Sequence, residues 1–499
     1  MAVIEDLIEA AAATREPAVV AESGIALGGV DPLGLRQINF DLMDKVFPGI
    51  NNAAAHIRPF TVVTWAWRRA GLIAQQHGKG SIPLPVLEDF VARIEVIYSW
   101  SQFLRDRDAG LPGRDVLAPL RNADAYAFAG KKWEQRKRGR AYSTALSAPV
   151  NYGPALKAFH WLQPARDGKG ALAPTELAEP AVAALDEAMA PYLEHPAFSS
   201  FGKVTVSADD VDEWSEAWAL EEPSGAERRV MAEAMTGETA PVARRDGVAL
   251  VLAAHRHLGG DPSHVELRRT MCGAPTDFVP PSELDGALRA WRTVQVRQTF
   301  RLALEAMLAW AFRHVEEHAA TTGDLVQAFL AAAGEGRTAG AWLDEVRDPE
   351  MGPVDWLEAL EGCLRTAEGD AELPWTIRAA LAHSLAEAPE DLGFERLDRL
   401  PLSRAAREAE GWRFQPVAAF VGHVLDAWVF GQHVYWSVGR GLGDARAGVR
   451  TLLRLKLGLE ETGWTPMPGA KMPAPRATPD RLSTMLSLMS EAGVFSDDG

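Results

Sequence analysis

Apolar residues recur at intervals of three and four through most of this chain, and strict alternation is rare. That spacing aligns them along one face of an α-helix, whereas a half-buried strand alternates every second residue. An amphipathic helix is expected over 1–14, then a glycine-rich turn region over 24–34. The next apolar stripe, 33–47, is stopped by Pro48 and Gly49. Two further stripes follow, 62–76 with Trp65, Trp67 and Leu72, and 85–104 with Phe90, Ile94, Ile97 and Trp100. Together they predict an N-terminal helical domain, 1–129.

The same period continues downstream. A helix over 152–162, a tight turn at Asp167–Gly170 and a second helix from 173, capped by Thr175, are compatible with a winged-helix-like module over 130–200. Residues 201–410 read as a central helical domain, with helix starts at 207–210 and 281–284, one long helix from about 284 to 320, and loops at Gly323, Gly334, Gly336 and Gly340. The last region, 411–499, is expected to be a helical or winged-helix-like module. It has an aromatic helix over 415–438, a helix over 449–459, a break over 461–469, and a final helix over 478–489 with Thr478 as N-cap and Pro479 at the first helical position. No period of 20 to 50 residues marks a solenoid. The expected fold class is mainly α, a multidomain helical protein.

Composition narrows the function classes. At 499 residues the chain exceeds one core. A formal net charge of −17 argues against adhesion to nucleic acid or an anionic membrane through the overall field, and leaves only a local basic patch for such contacts. The two cysteines, Cys272 and Cys363, are too few for a disulfide framework or a four-thiolate metal site, which suits a reducing cytosol. The first residues carry acids where a signal peptide carries Lys or Arg, and no window approaches 18 uninterrupted apolar residues. A cytoplasmic location, away from membranes, is expected.

One cationic island interrupts the acidic chain. Lys131-Lys-Trp-Glu-Gln-Arg-Lys-Arg-Gly-Arg140 holds six basic residues in ten, with Tyr142 just beyond. As a phosphate-contacting arm it would use Lys131, Lys132, Arg136, Lys137, Arg138 and Arg140, with stacking on the aromatic rings. As a solvated face it would pair those charges with surrounding acids.

His314-Val-Glu-Glu-His318 has the spacing of two metal ligands one helical turn apart. It also sits where a helix is expected to end, and imidazoles there interact favourably with the last carbonyls. The stripe Phe300, Leu304, Met307, Ala311 would continue into both histidines. The pattern resembles that of the inverse-zincin peptidases. That resemblance implies zinc held by His314, His318 and a later glutamate, Glu395, with Glu317 as the base. The other candidates carry less. Gly439-Arg-Gly-Leu-Gly443 lacks dinucleotide-loop spacing and reads as a helix stop. His255, His257 and His264 suit a loop, and His423 and His433 a buried, hydrogen-bonded role. No nucleophile elbow, Walker A loop or kinase signature occurs.

Three segments, Asp31–Ile38 with 46–52, 291–305, and Gln432-His-Val-Tyr-Trp436, resemble a family of bacterial proteins encoded in phage-defence and restriction islands. The resemblance implies a defence-complex subunit acting beside an ATPase, helicase or nuclease, and transfers no catalytic residue. The expected function is therefore a non-enzymatic subunit of an anti-phage defence or nucleic-acid-processing complex, without a cofactor, binding protein partners and DNA or RNA. The alternatives are a zinc-dependent hydrolase and a purely structural adaptor.

Overall fold

The computed structural model describes residues 31–76, 82–106, 108–165, 170–366, 368–388, 399–446 and 454–495. It is mainly helical. The three N-terminal stripes form Arg36–Val46, Arg58–Gln76 and Leu84–Arg105, each within a few residues of its expected span except for an earlier start of the second. The helix expected over 1–14 lies outside the described residues.

Six short strands occur among the described residues: β1 (Ala125–Phe128), β2 (Leu162–Pro164), β3 (Leu172–Pro174), β4 (Val204–Ser207), β5 (Leu457–Glu460) and β6 (Gly463–Pro466). They pair antiparallel as β1 with β4, β2 with β3 and β5 with β6. Two expected helices give way to these ribbons. The 152–162 helix stops at Ala158, and 162–164 joins β2, because His160 turns the chain with φ 56° and the Trp161 carbonyl accepts from Thr175 N. The next helix starts only at Glu179. Of the helix expected over 449–459, residues 449–453 lie outside the described residues, while Leu457 onward is strand, closed by Gly463 at φ 126°, where a Cβ would come within 2.4 Å of the Ala320 carbonyl oxygen. Only glycine suits that backbone.

Other boundaries moved for equally local reasons. The aromatic helix runs through Val417–His423, a wider-wound stretch Val424–Gly431 and Gln432–Arg446, so Gly439 to Gly443 are helical and not a stop. A helical glycine costs about 1 kcal/mol relative to alanine, which neighbouring turns override. The final helix is Leu482–Ala492, not 478–489, because Thr478 is tied to the long helix instead of capping: Gln298 Nε2 donates to its carbonyl at 2.6 Å and its N–H donates to Gln298 Oε1 at 2.9 Å.

The buried side chains form two hydrophobic cores. The first gathers helices and strands from Ile38 to Val294 and takes Leu482, Met485, Leu488 and Met489 from the far end of the chain. The second runs from Val296 to Trp464, joined by Leu33 and Leu35. Asp285–Val315 passes from one core to the other. Where they meet it buries Gln295, Arg297, Gln298, Thr299, Arg301 and Glu305, all at most 2% exposed. Buried polar groups are costly unless bonded. Here Arg301 Nη1 donates to Glu305 Oε2 at 2.6 Å and its Nη2 to the Arg476 carbonyl at 2.9 Å. Arg36 reaches Glu305 Oε2 at 3.3 Å, and Gln295 and Arg268 both donate to the Asp480 carboxylate. A charged seam thus joins the cores and clasps segment 476–481. No described helix is long and apolar enough to cross a membrane.

Candidate anion-binding cleft beneath the basic helix

The cationic island is the helix Gly130–Arg140. Its Lys, Arg, Glu and Gln residues favour that conformation, and Glu134 pairs with Lys137 one turn on, at 2.9 Å. Trp133 anchors it. That ring is 2% exposed, packs edge-on against Phe128 at 5.0 Å, and donates Nε1–H to Asp89 Oδ1 at 2.8 Å. Asp89 comes from Leu84–Arg105, so one carboxylate ties the two helices and also accepts from Lys137 Nζ.

The six cations divide into two sets. Arg136 donates to Tyr126 Oη and the Val116 carbonyl, both at 3.1 Å, and lies 5.0 Å from the Tyr126 ring centroid. Lys137 is held by Asp89 and Glu134. Arg140 is 3% exposed and donates to the Thr144 carbonyl. Lys131, Lys132 and Arg138 are exposed, and no described residue pairs with them. Three cations therefore build the helix's seat, and three face solvent. Positions 131 and 138 lie on one face about 10 Å apart, two turns along.

Beneath this helix opens a cleft of about 830 Å³. Its walls include Trp67, Val91, Val96 and Trp133, then Pro149, Pro154, Leu156 and the β2–β3 residues Leu162 and Leu172. Arg138 and Lys157 line it as well, and Lys157 is also exposed and without a described partner. Among the unpaired lining charges one carboxylate, Glu88, opposes them. The wall at Gly153 needs glycine, since a Cβ there would meet the Ser147 carbonyl oxygen at 2.3 Å.

The innermost charge is Glu95, fully buried, with Oε2 accepting from Leu146 N at 2.9 Å and Oε1 from Ser147 N at 3.3 Å. Burial raises its pKa, opposed by the Arg140 charge and by those bonds. Burial likewise pulls Arg140 down to about 10, with Glu95 acting against it. Both oxygens of Glu95 are already held by backbone amides. The lining charges balance, Glu88, Asp89, Glu95 and Glu134 against Lys137, Arg138, Arg140 and Lys157. What the cleft offers an anion is therefore the two cations without a carboxylate partner, Arg138 and Lys157, at the edge of an apolar interior, an arrangement suited to a ligand with a flat apolar body and an anionic tail. Lys157 was not among the expected contacts, since a single lysine in a helix carries no sequence signal of its own.

The histidine motif is arranged differently from the expectation. Its helix ends at Val315, and Thr321 starts the next one as a capping box with Asp324. His314 lies in the last turn, while Glu317 and His318 lie beyond it, so the one-turn stacking of two imidazoles is not formed. His314 is exposed and stacks on Trp310, centroids 5.2 Å apart, whereas Phe300, Leu304, Met307 and Ala311 are buried. Glu395 lies outside the described residues. Among the described residues, no group of three or more His, Cys, Asp or Glu could hold a metal ion. The other candidate histidines make local contacts. His433 accepts from Lys456 N at 2.9 Å and donates to the Pro32 carbonyl at 2.8 Å, and His423 meets Glu408 at 3.0 Å. His255 packs on Phe495, His257 meets Asp277 and His264 meets Ser483.

Comparison with protein-family models, curated proteins and solved structures found no match.

Proposed function

We propose that this chain is a non-enzymatic, cytoplasmic binding subunit of a bacterial anti-phage defence or nucleic-acid-processing assembly, and that its cleft takes the end of a single-stranded DNA or RNA. The phosphates lie along Lys131, Lys132, Arg138 and Lys157, and a terminal base enters the apolar interior. One observation carries this reading: two unpaired cations, Arg138 and Lys157, line an apolar cleft, and Lys131 and Lys132 stand exposed on the helix above it, in a chain of net charge −17. The resemblance of 31–38, 291–305 and 432–436 to defence-island proteins supplies the setting, with an ATPase, helicase or nuclease as the protein partner.

The test is fluorescence anisotropy with a labelled oligonucleotide at rising salt. Three or four phosphate contacts are expected to give a slope of log K against log salt of about −2 to −3. Lys131→Glu, Lys132→Glu, Arg138→Glu and Lys157→Glu together are expected to abolish binding. Arg136, Lys137 and Arg140 stay in place, so the helix keeps its seat. Equal binding by this variant, or no binding by the unaltered protein at low salt, overturns the reading.

A further inference from the structure

A second recess, built on the other core, has the opposite chemistry. Trp356, on Pro353–Arg365, and Trp375, on Leu373–Ala386, face each other with centroids 6.0 Å apart and planes at 53°. Trp375 is 45% exposed, one of few large apolar side chains left in water, while Trp356 is 4% exposed and its Nε1–H has no acceptor. Two adjoining hollows of about 910 and 640 Å³ share this tryptophan pair and Asp348. Glu372 lines the first and Glu335 the second.

The charges lining both hollows are asymmetric. Glu345 is neutralised by Arg378 at 2.5 Å, and Arg347, in the second hollow, reaches Asp344 at 3.6 Å, a carboxylate that Arg413 holds at 2.6 Å. No described cation pairs with Asp348, Glu372 or Glu335. The first hollow is lined by Asp348 and Glu372 with no cation, and the second keeps Glu335, Glu345 and Asp348 against Arg347 and Arg378, so the excess is negative in both and larger in the first. Ammonium and guanidinium groups are attracted by an indole face and by nearby carboxylates together, which neither an anion nor a neutral apolar side chain matches.

We infer that this groove binds a Lys- or Arg-bearing extended segment of a partner protein, the cationic side chain lodging at Trp375 between Asp348 and Glu372. The site belongs to protein–protein recognition and stands independently of the nucleic-acid reading, since it shares no residue with the basic cleft. An exposed cation–π contact is individually weak, so the segment binds through repeated contacts along both hollows.

The experiment uses the full chain labelled with 5-fluorotryptophan. Sixteen tryptophans give resolvable fluorine resonances, and Trp375→Phe and Trp356→Phe assign the two of interest. Blocked Gly-Arg-Gly and Gly-Lys-Gly are expected to shift the Trp375 resonance saturably, and blocked Gly-Glu-Gly to leave it unmoved. Asp348→Asn, Glu372→Gln and Glu335→Gln together are expected to weaken binding about tenfold at low salt. The other resonances, unchanged, report that this surface variant is folded. If acidic and basic peptides shift Trp375 alike, or neither does, the site is lost. If tetramethylammonium binds as tightly as the peptides, the groove takes a free ammonium ion and the partner-segment assignment fails.

Discussion

Replacing Glu305 with alanine is expected to cost about 3 to 5 kcal/mol of stability, the range for removing one partner of a buried ion pair. Glu305 and Arg301 are both 0% exposed, joined at 2.6 Å, and Arg36 adds a second contact at 3.3 Å. Without the carboxylate, Arg301 keeps its bond to the Arg476 carbonyl but stays buried with only the more distant Asp31, which Arg36 shares, to offset its charge. Glu305→Gln retains an acceptor of the same shape and is expected to lose less. Urea unfolding followed by tryptophan fluorescence measures both. A loss below about 1 kcal/mol for alanine would show that solvent reaches the seam.

Acid is expected to remove a further increment. Burial lowers His383 to about 4 and also lowers His433. For a base whose folded pKa is depressed, the stabilisation is complete above the unfolded value near 6.5. It is lost as pH falls towards the folded value, because the unfolded chain takes the proton first. At about 1.4 kcal/mol per unit, His383 alone accounts for a loss of about 2 kcal/mol between pH 6.5 and 5. Its Nε2 is buried without a partner. Asp31 and Glu95, both raised mainly by burial, act in the opposite sense as pH falls. The difference between the unaltered protein and His383→Gln isolates the histidine. Stability measured at pH 7, 6 and 5 is expected to fall less steeply in the variant, and parallel slopes would refute the assignment.

How much of this was legible in the sequence depended on whether local chemistry decided the outcome. Ser207 forms a capping box with Asp210 where a helix start was expected, because the side chains that cap are sequence neighbours. The stripes of Arg36–Val46 and Leu84–Arg105 were equally local. Leu457–Glu460 was not: its ribbon partner is close by, but Trp464 is fixed by an exchange of bonds with Ala320, far off in the chain. Thr478 has the composition of a cap and was claimed by Gln298, 180 residues away. At the island, charge density was visible, yet the division into seated and free cations was set by Asp89, Tyr126 and the Val116 carbonyl. The cleft itself is a property of packing and had no local signal.

The return of Leu482–Ala492 to the first core has a consequence for biosynthesis. Glu491 accepts from Ile57 N at 2.7 Å and meets His56 at 2.6 Å, and Ser487 donates to the Ala55 carbonyl, contacts spanning more than 430 residues. A ribosome that has just released Val294 therefore holds a core lacking its closing helix. At about 5 to 20 residues per second, roughly 10 to 40 s pass before that helix is made. Through that interval the pocket for Leu482, Met485 and Met489 stands open to water and to chaperones. The second core, complete by Trp464, is in a position to close first although it is made later.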